Sequence, residues 1–163
     1  MLADGLLRLE AAGADFIAMP CNTAHMFFEQ LRKTIRVPLL NMVELTVASL
    51  QSETALAVLA TRGTIAARLY QSALEQKNIS AIWTEQLQEK VDETLAAVKR
   101  KAAKAELTGL WSEIERQAKV EGASTLLVAC TDLNYALEET NLPVVDATRI
   151  LAQATVAEYL RRK

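Results

Sequence analysis

Cysteine and histidine are nearly absent from this chain of 163 residues: Cys21, Cys130 and His25 are all it has. Two cysteines placed so far apart are not the disulfide framework of a small secreted domain, so a reducing, cytoplasmic setting is expected. Structural zinc normally takes four protein ligands, and Cys21, His25 and Cys130 supply three, so no metal is expected. Aromatics are few, at 5%, while hydrophobic residues make up 51%, which points to a core of Ala, Leu, Val and Ile. Positive charge is not in excess: the formal net charge is −2, which gives no electrostatic case for nucleic acid. No apolar run approaches the roughly 20 residues that span a bilayer, and Met1 opens no charged-then-apolar signal. Neither a membrane nor a nucleic-acid partner is expected.

What the chain does contain is a repeat of topology. Gly13-Ala14 precedes an apolar run that ends in Pro20-Cys21-Asn22-Thr23. Gly122-Ala123 precedes Thr125–Ala129 and then Cys130-Thr131-Asp132. Each cysteine lies eight positions after its glycine. Each is followed by a helical pattern, a proline and a short strand, 37–41 and 142–146. Asn41 and Asp146 each lie three positions past their proline.

Leu2, Leu6, Leu7, Leu9 and Ala12 pattern as an amphipathic helix ending at Gly13. Residues 16–19 read as a buried strand. Ala24, Phe27, Phe28 and Leu31 follow helical spacing, which turns one face inward. Residues 38–40 read as a strand and 43–50 as a helix. A second unit begins near Thr54 with an apolar strand over 55–60, and Thr61-Arg62-Gly63-Thr64 turns into a helix bearing Ile65, Leu69 and Leu74. There, Gly63 is read as permitting a tight strand-to-helix turn. Residues 79–83 form a strand, and Thr84 is placed to cap a long helix through Val98. The Lys99–Lys104 cluster reads as a solvated helix end. Thr108-Gly109 reads as a break before a helix bearing Trp111, and Trp83 and Trp111 read as core or interface residues. A terminal helix carries Ile150, Leu151, Ala154, Ala157 and Leu160.

Alternating, almost purely apolar strands and helices predict an α/β protein of two similar lobes, each a parallel sheet flanked by helices. The second unit runs from Thr54 to Gly122 before its Gly-Ala pair, whereas only residues 1–12 precede Gly13. A counterpart of the strand-turn-helix at 55–74 is therefore expected to be absent or to lie outside this chain, so that the first lobe lacks its N-terminal strand and helix, unless the repeat was never symmetric at that end.

In open parallel sheets, ligands bind beyond the carboxyl ends of the strands, where both cysteines stand. Buried cysteines on apolar strands are most often inert. Repeated placement favours a functional pair. Two thiols facing one cleft suit proton removal from one face of a carbon and return to the other. A free thiol has a pKa of about 8.5 and a helix N-terminus lowers it, so some thiolate is expected at both. Donors at the helix starts suit a carboxylate and the enolate-like charge that develops on proton removal. His25, four residues past Cys21, reads first as a residue hydrogen-bonded to structure.

The blocks Pro20-Cys21-Asn22-Thr23-Ala24-His25, Ala60–Thr64, Cys130-Thr131-Asp132-Leu133 and Val145–Thr148 resemble the aspartate/glutamate racemase superfamily, its aspartate racemase branch most closely. The resemblance implies a cofactor-independent amino-acid racemase, with no PLP and with Cys21 and Cys130 as catalytic residues. It implies that Asn22, Thr23, Thr64 and Thr131 hold the α-carboxylate and amine of a small amino acid, aspartate or a relative. It also implies a homodimer, and lobes formed by residues 1–50 plus 147–163 and by residues 51–146. Two features depart from the pattern. Asp132 stands where that branch has Glu, and the glycine-rich opening strand and helix are lacking. The competing expectation is an impaired homologue that binds small acids or associates with itself.

Overall fold

A computed structural model describes residues 1–50, 55–137 and 140–163. The expected start of the second unit near Thr54 lies outside the described residues. The chain is α/β, with every strand pair parallel. Strands β1 (Ile17–Ala18) and β2 (Leu39–Leu40) form a two-stranded sheet. Strands β3 (Ala55–Ala60), β4 (Ser80–Ile82), β5 (Thr125–Ala129) and β6 (Val144–Asp146) form a second sheet in the order β4-β3-β5-β6. In that register Ala60 stands opposite Ala129, and Val128 opposite Asp146.

Strands β3 and β5 are apolar at almost every position because both their faces are covered. Ala57, Leu59, Leu126 and Val128 face helices α6 (Glu85–Lys99) and α7 (Lys104–Val120), packing on Leu87, Val91, Trp111 and Ile114. Leu56, Val58, Ala60, Leu127 and Ala129 point the other way, as the period of two requires. They meet Met42, Val43 and Val47 of α3 (Met42–Ala48), Tyr70 and Leu74 of α5 (Leu69–Glu75) and Leu151 of α8 (Ala147–Arg162). Ala18 and Leu40 of the small sheet pack against the same cluster, so the two sheets share a core. A smaller cluster of Leu6, Ile17, Met19, Leu31 and Ile35 lies under α1 (Leu2–Ala11).

The repeat extends to details of geometry. Gly13 and Gly122 both take the left-handed conformation that suits glycine, at φ of 89° and 85°. Asn41 Oδ1 accepts from the Val43 and Glu44 amides at the start of α3, and Asp146 Oδ1 accepts from the Thr148 amide at the start of α8. A glutamate from the preceding helix also pins each approach to the proline strand. Glu10 accepts from the Arg36 amide at 2.6 Å and Glu115 from the Asn141 amide at 2.8 Å. Both amides lie two positions before their proline. The halves differ in one respect: β5 is paired on both edges, while β1 is paired with β2 alone among the described strands.

Several expectations need correction. The segment after Cys21 is a 3-10 turn (Thr23–Phe27) running into a single turn of helix, α2 (Phe28–Leu31). The tighter winding moves Phe27 off the inward face, and it is 42% exposed. Of the leucines on α1, only Leu6 is buried. The helix expected to bear Ile65, Leu69 and Leu74 is broken at Arg68, which has φ of 51°, into α4 (Arg62–Ala66) and α5. The break expected at Thr108-Gly109 occurs earlier, at Lys101 with φ of 58°, and α7 runs straight through Gly109. Trp111 is core, but Trp83 is at the surface, donating to Gln88 Oε1. Thr84 caps α6 as expected, accepting from the Leu87 amide. No helix among the described residues is long and apolar enough to cross a membrane.

Candidate active site

Each cysteine stands just past the carboxyl end of its strand, and both are free thiols. Cys21 is exposed; its amide donates to the Met19 carbonyl at 2.8 Å, turning the chain sharply out of β1. Cys130 is extended, buried and followed by a 3-10 turn (Thr131–Tyr135). Burial pushes the Cys130 thiol above its ordinary pKa. Backbone N–H groups of Asp132 and Leu133 pull it down, and the charges of Asp132 and Cys21 push it up. The net shift opposes the expectation of a lowered pKa at this thiol. A five-residue 3-10 turn brings two amides to the sulfur, and that is too little to offset desolvation. Cys21 is itself among the groups that shift Cys130, so the two thiols share one electrostatic neighbourhood.

Next to Cys21, two side chains reach across to the second sheet. Thr23 Oγ1 lies 2.9 Å from both Thr61 Oγ1 and Thr64 Oγ1, which are 3.1 Å from each other. Thr61 also caps α4, accepting from the Thr64 amide. This triangle of hydroxyls requires α4 to come close to the turn after Cys21. A Cβ on Gly63 would stand 3.3 Å from Thr23 Cγ2. Gly63 therefore serves a close approach between segments, and its φ is not in the left-handed region that the expected tight turn would have required.

Asn22 is 3% exposed. Its Oδ1 accepts from the Tyr70 hydroxyl of α5 at 2.5 Å, while its Nδ2 is buried without a hydrogen-bond partner. A buried donor left unpaired is costly. Tyr70 is fully buried, and burial holds its hydroxyl protonated. Thr131 follows Cys130 directly and is half-buried.

His25 is 4% exposed and uses both ring nitrogens. Nδ1 lies 2.8 Å from the Cys21 carbonyl oxygen, and Nε2 is 3.0 Å from the Met42 amide. It is the structural residue that the sequence suggested.

The structure brings Cys21, Asn22, Thr23 and Thr64 into one connected cluster, with Cys130 near enough for charge coupling to Cys21. Sequence reasoning noticed Thr61 only as part of a turn and missed Tyr70. No motif marks Tyr70, since only the fold brings α5 against the residue after Cys21. Concavities of about 760 and 600 Å³ lie beside β2 and β1, and neither is lined by Cys21, Cys130 or the threonines. The hydroxyls of Thr23, Thr61 and Thr64 satisfy one another, so a ligand bound by them would replace these bonds.

The family model for Asp/Glu/hydantoin racemases matches residues 1–155. The broad specificity amino-acid racemase RacX of Bacillus subtilis is 34% identical over 162 residues, covering 98% of this chain and 71% of that protein. An aspartate racemase of Picrophilus torridus has a solved structure that superposes with a TM-score of 0.82 at 29% identity, over 96% of this chain and 67% of that one. A glutamate racemase isoform from Bacillus anthracis shares the fold at a TM-score of 0.68 and 15% identity, over 96% of this chain and 62% of that one. With its sequence matched along nearly its whole length and its fold shared, this chain belongs to the Asp/Glu/hydantoin racemase family.

Proposed function

We propose that this chain racemises a small amino acid, aspartate or a relative, without a cofactor, by proton transfer between Cys21, Cys130 and the α-carbon. One observation supports this most strongly: two free thiols occupy equivalent places in a repeated fold, and the charge of Cys21 bears on the ionisation of Cys130. In one direction the thiolate of one cysteine takes the α-proton and becomes a thiol, leaving an enolate-like carbanion. The thiol of the other cysteine gives its proton to the opposite face and becomes the thiolate. The product is the other enantiomer, and the two thiols have exchanged protonation states. The charge that develops on the carboxylate needs donors. Asn22 Nδ2 is an unspent donor beside Cys21, and the hydroxyls of Thr23, Thr64 and Thr131 supply more.

The substrate range follows from the relatives' names as a proposal: RacX is called broad in specificity and the Picrophilus protein an aspartate racemase. The reading carries a cytoplasmic, PLP-independent homodimer with it. α-Proton exchange in deuterated water, with L- and D-aspartate and a panel of neutral amino acids, tests it on dialysed protein. Exchange and inversion without added PLP support it. A Cys21→Ala or Cys130→Ala protein that inverts both enantiomers at the full rate would defeat the two-thiol assignment.

A second reading rests on β1, which among the described strands is paired on one edge only. An unpaired strand edge favours association, and binding without turnover would make the chain a self-associating, acid-binding homologue. Light scattering together with a titration of aspartate separates the two.

A further inference from the structure

The segment carrying Cys21 is anchored unlike the one carrying Cys130. Strand β5 has five residues and a neighbour on each edge, whereas β1 has two residues and one neighbour. Beside the bonds of Asn22 and Thr23 to the second sheet's helices, a buried ring holds the chain after β1. The Met42 amide can only donate, so the His25 nitrogen facing it, Nε2, is unprotonated. The proton of the neutral ring then lies on Nδ1, which donates to the Cys21 carbonyl. The ring stacks on Phe28 at 5.6 Å between centroids and 5° between planes. On its far side, Asn41 takes the next two amides of α3, so every amide of that first turn has a partner. Both ring nitrogens are spent on backbone, which leaves His25 no proton to exchange with a substrate. The position equivalent to His25 after Cys130 is Asn134, whose Oδ1 is buried without a hydrogen-bond partner.

We propose that His25 is a positioning residue for Cys21, clamping its carbonyl to the start of α3 so that the thiol is held in place although β1 is short and one-sided. The proposal rests on reading Cys21 as a catalytic base. Cys130 needs no such clamp, because its strand is embedded in the larger sheet.

Two substitutions separate the ring's two bonds. An asparagine amide nitrogen takes roughly the place of Nδ1, and a glutamine amide oxygen roughly that of Nε2. In His25→Asn the clamp on Cys21 survives and the brace on Met42 is lost; in His25→Gln the reverse holds. Misplacement of a reacting group by about 1 Å costs on the order of 100-fold in rate. His25→Gln is therefore expected to lower kcat about 10- to 100-fold with KM little changed, and His25→Asn to keep most of kcat while losing thermal stability. Equal kcat in both variants, or kcat that follows stability in each, would overturn the proposal.

Alkylation by iodoacetamide, read by peptide mass spectrometry with Cys130 as internal reference, does not depend on turnover. His25→Gln should change the Cys21/Cys130 rate ratio and His25→Asn should not; an unchanged ratio in both overturns the clamp. If the wild-type protein shows no exchange or inversion with any amino acid, the racemase reading falls and the alkylation ratio still decides the clamp. If neither variant folds, the wild type decides it. Labelled with 15N at its single histidine, it must show the neutral Nδ1–H tautomer, and an Nε2–H tautomer would rule the arrangement out.

Discussion

The two cysteine-bearing halves have the same local design on different supports. In each, a left-handed glycine starts the strand, a glutamate pins the approach to the proline, and an Asn or Asp caps the helix that follows. The Cys130 half sits inside a four-stranded sheet covered on both faces, and its thiol is buried. The Cys21 half has a two-stranded sheet, an exposed thiol and a histidine clamp. The difference teaches that local sequence sets where a thiol emerges from a strand, while the surrounding layers set how deeply it is buried, and at Cys130 that burial raises the pKa.

The largest expected effect puts both halves to the same test. Removing a positioned acid or base typically costs about 10²–10⁴ in rate. Cys21→Ala and Cys130→Ala should each lose about that much racemisation, measured by polarimetry from either enantiomer. If only one of them loses activity, the halves are unequal in function as well as in support, and a one-base reaction replaces the two-base one.

Stability should divide along the same line. Trp111 is fully buried between α7 and the larger sheet. Truncating such a residue, Trp111→Ala, should cost about 3–5 kcal/mol in urea unfolding. Leu9, on α1 over the smaller sheet, is 50% exposed. Leu9→Ala should stay within about 0.5 kcal/mol, the usual range for surface positions. A large loss at Leu9 would mean that its face of α1 is covered in solution, by a second copy or another partner.

A smaller effect concerns pH. Burial raises the Cys130 pKa, so the folded state holds that proton more tightly than the unfolded chain. This contribution is complete below the unfolded thiol value of about 8.5 and is lost as pH climbs from there through the raised folded value. Urea midpoints should therefore fall above that pH in the wild type, and fall less in Cys130→Ala. An equal decline in both would place the sensitivity on other groups.

The repeat was legible because its causes are local. A glycine at positive φ, an apolar strand and a capping residue each leave a mark at a fixed offset, and Gly13/Gly122 and Asn41/Asp146 stand where that arithmetic puts them. Helix breaks at Arg68 and Lys101 were illegible, since a non-glycine residue at positive φ carries no such mark. Thr23 and Thr64 are each named by the family resemblance, but their pairing, and the joining of Thr61 and Tyr70 to the cluster, arise only through tertiary packing. Gly63 was visible but misread: its reason lies 40 residues away, at Thr23.

That misreading sets the smallest and sharpest test of how the halves meet. Within a helix, alanine is favoured over glycine by about 1 kcal/mol. At position 63 the added Cβ would press on Thr23 Cγ2 from 3.3 Å, and overpacking of this kind costs about 1–3 kcal/mol when the neighbour is held. Thr23 is held, because its hydroxyl meets two others at 2.9 Å. The two terms largely offset each other, so Gly63→Ala should move the urea midpoint little. It should still raise KM, because a Thr23 that gives way by a few tenths of an ångström breaks the hydroxyl triangle. Thr23→Ser removes Cγ2 and keeps the hydroxyl, so adding it to Gly63→Ala should restore KM. A double variant that stays as weak as the single one would show that Gly63 serves α4 alone, and that the junction between the halves does not depend on it.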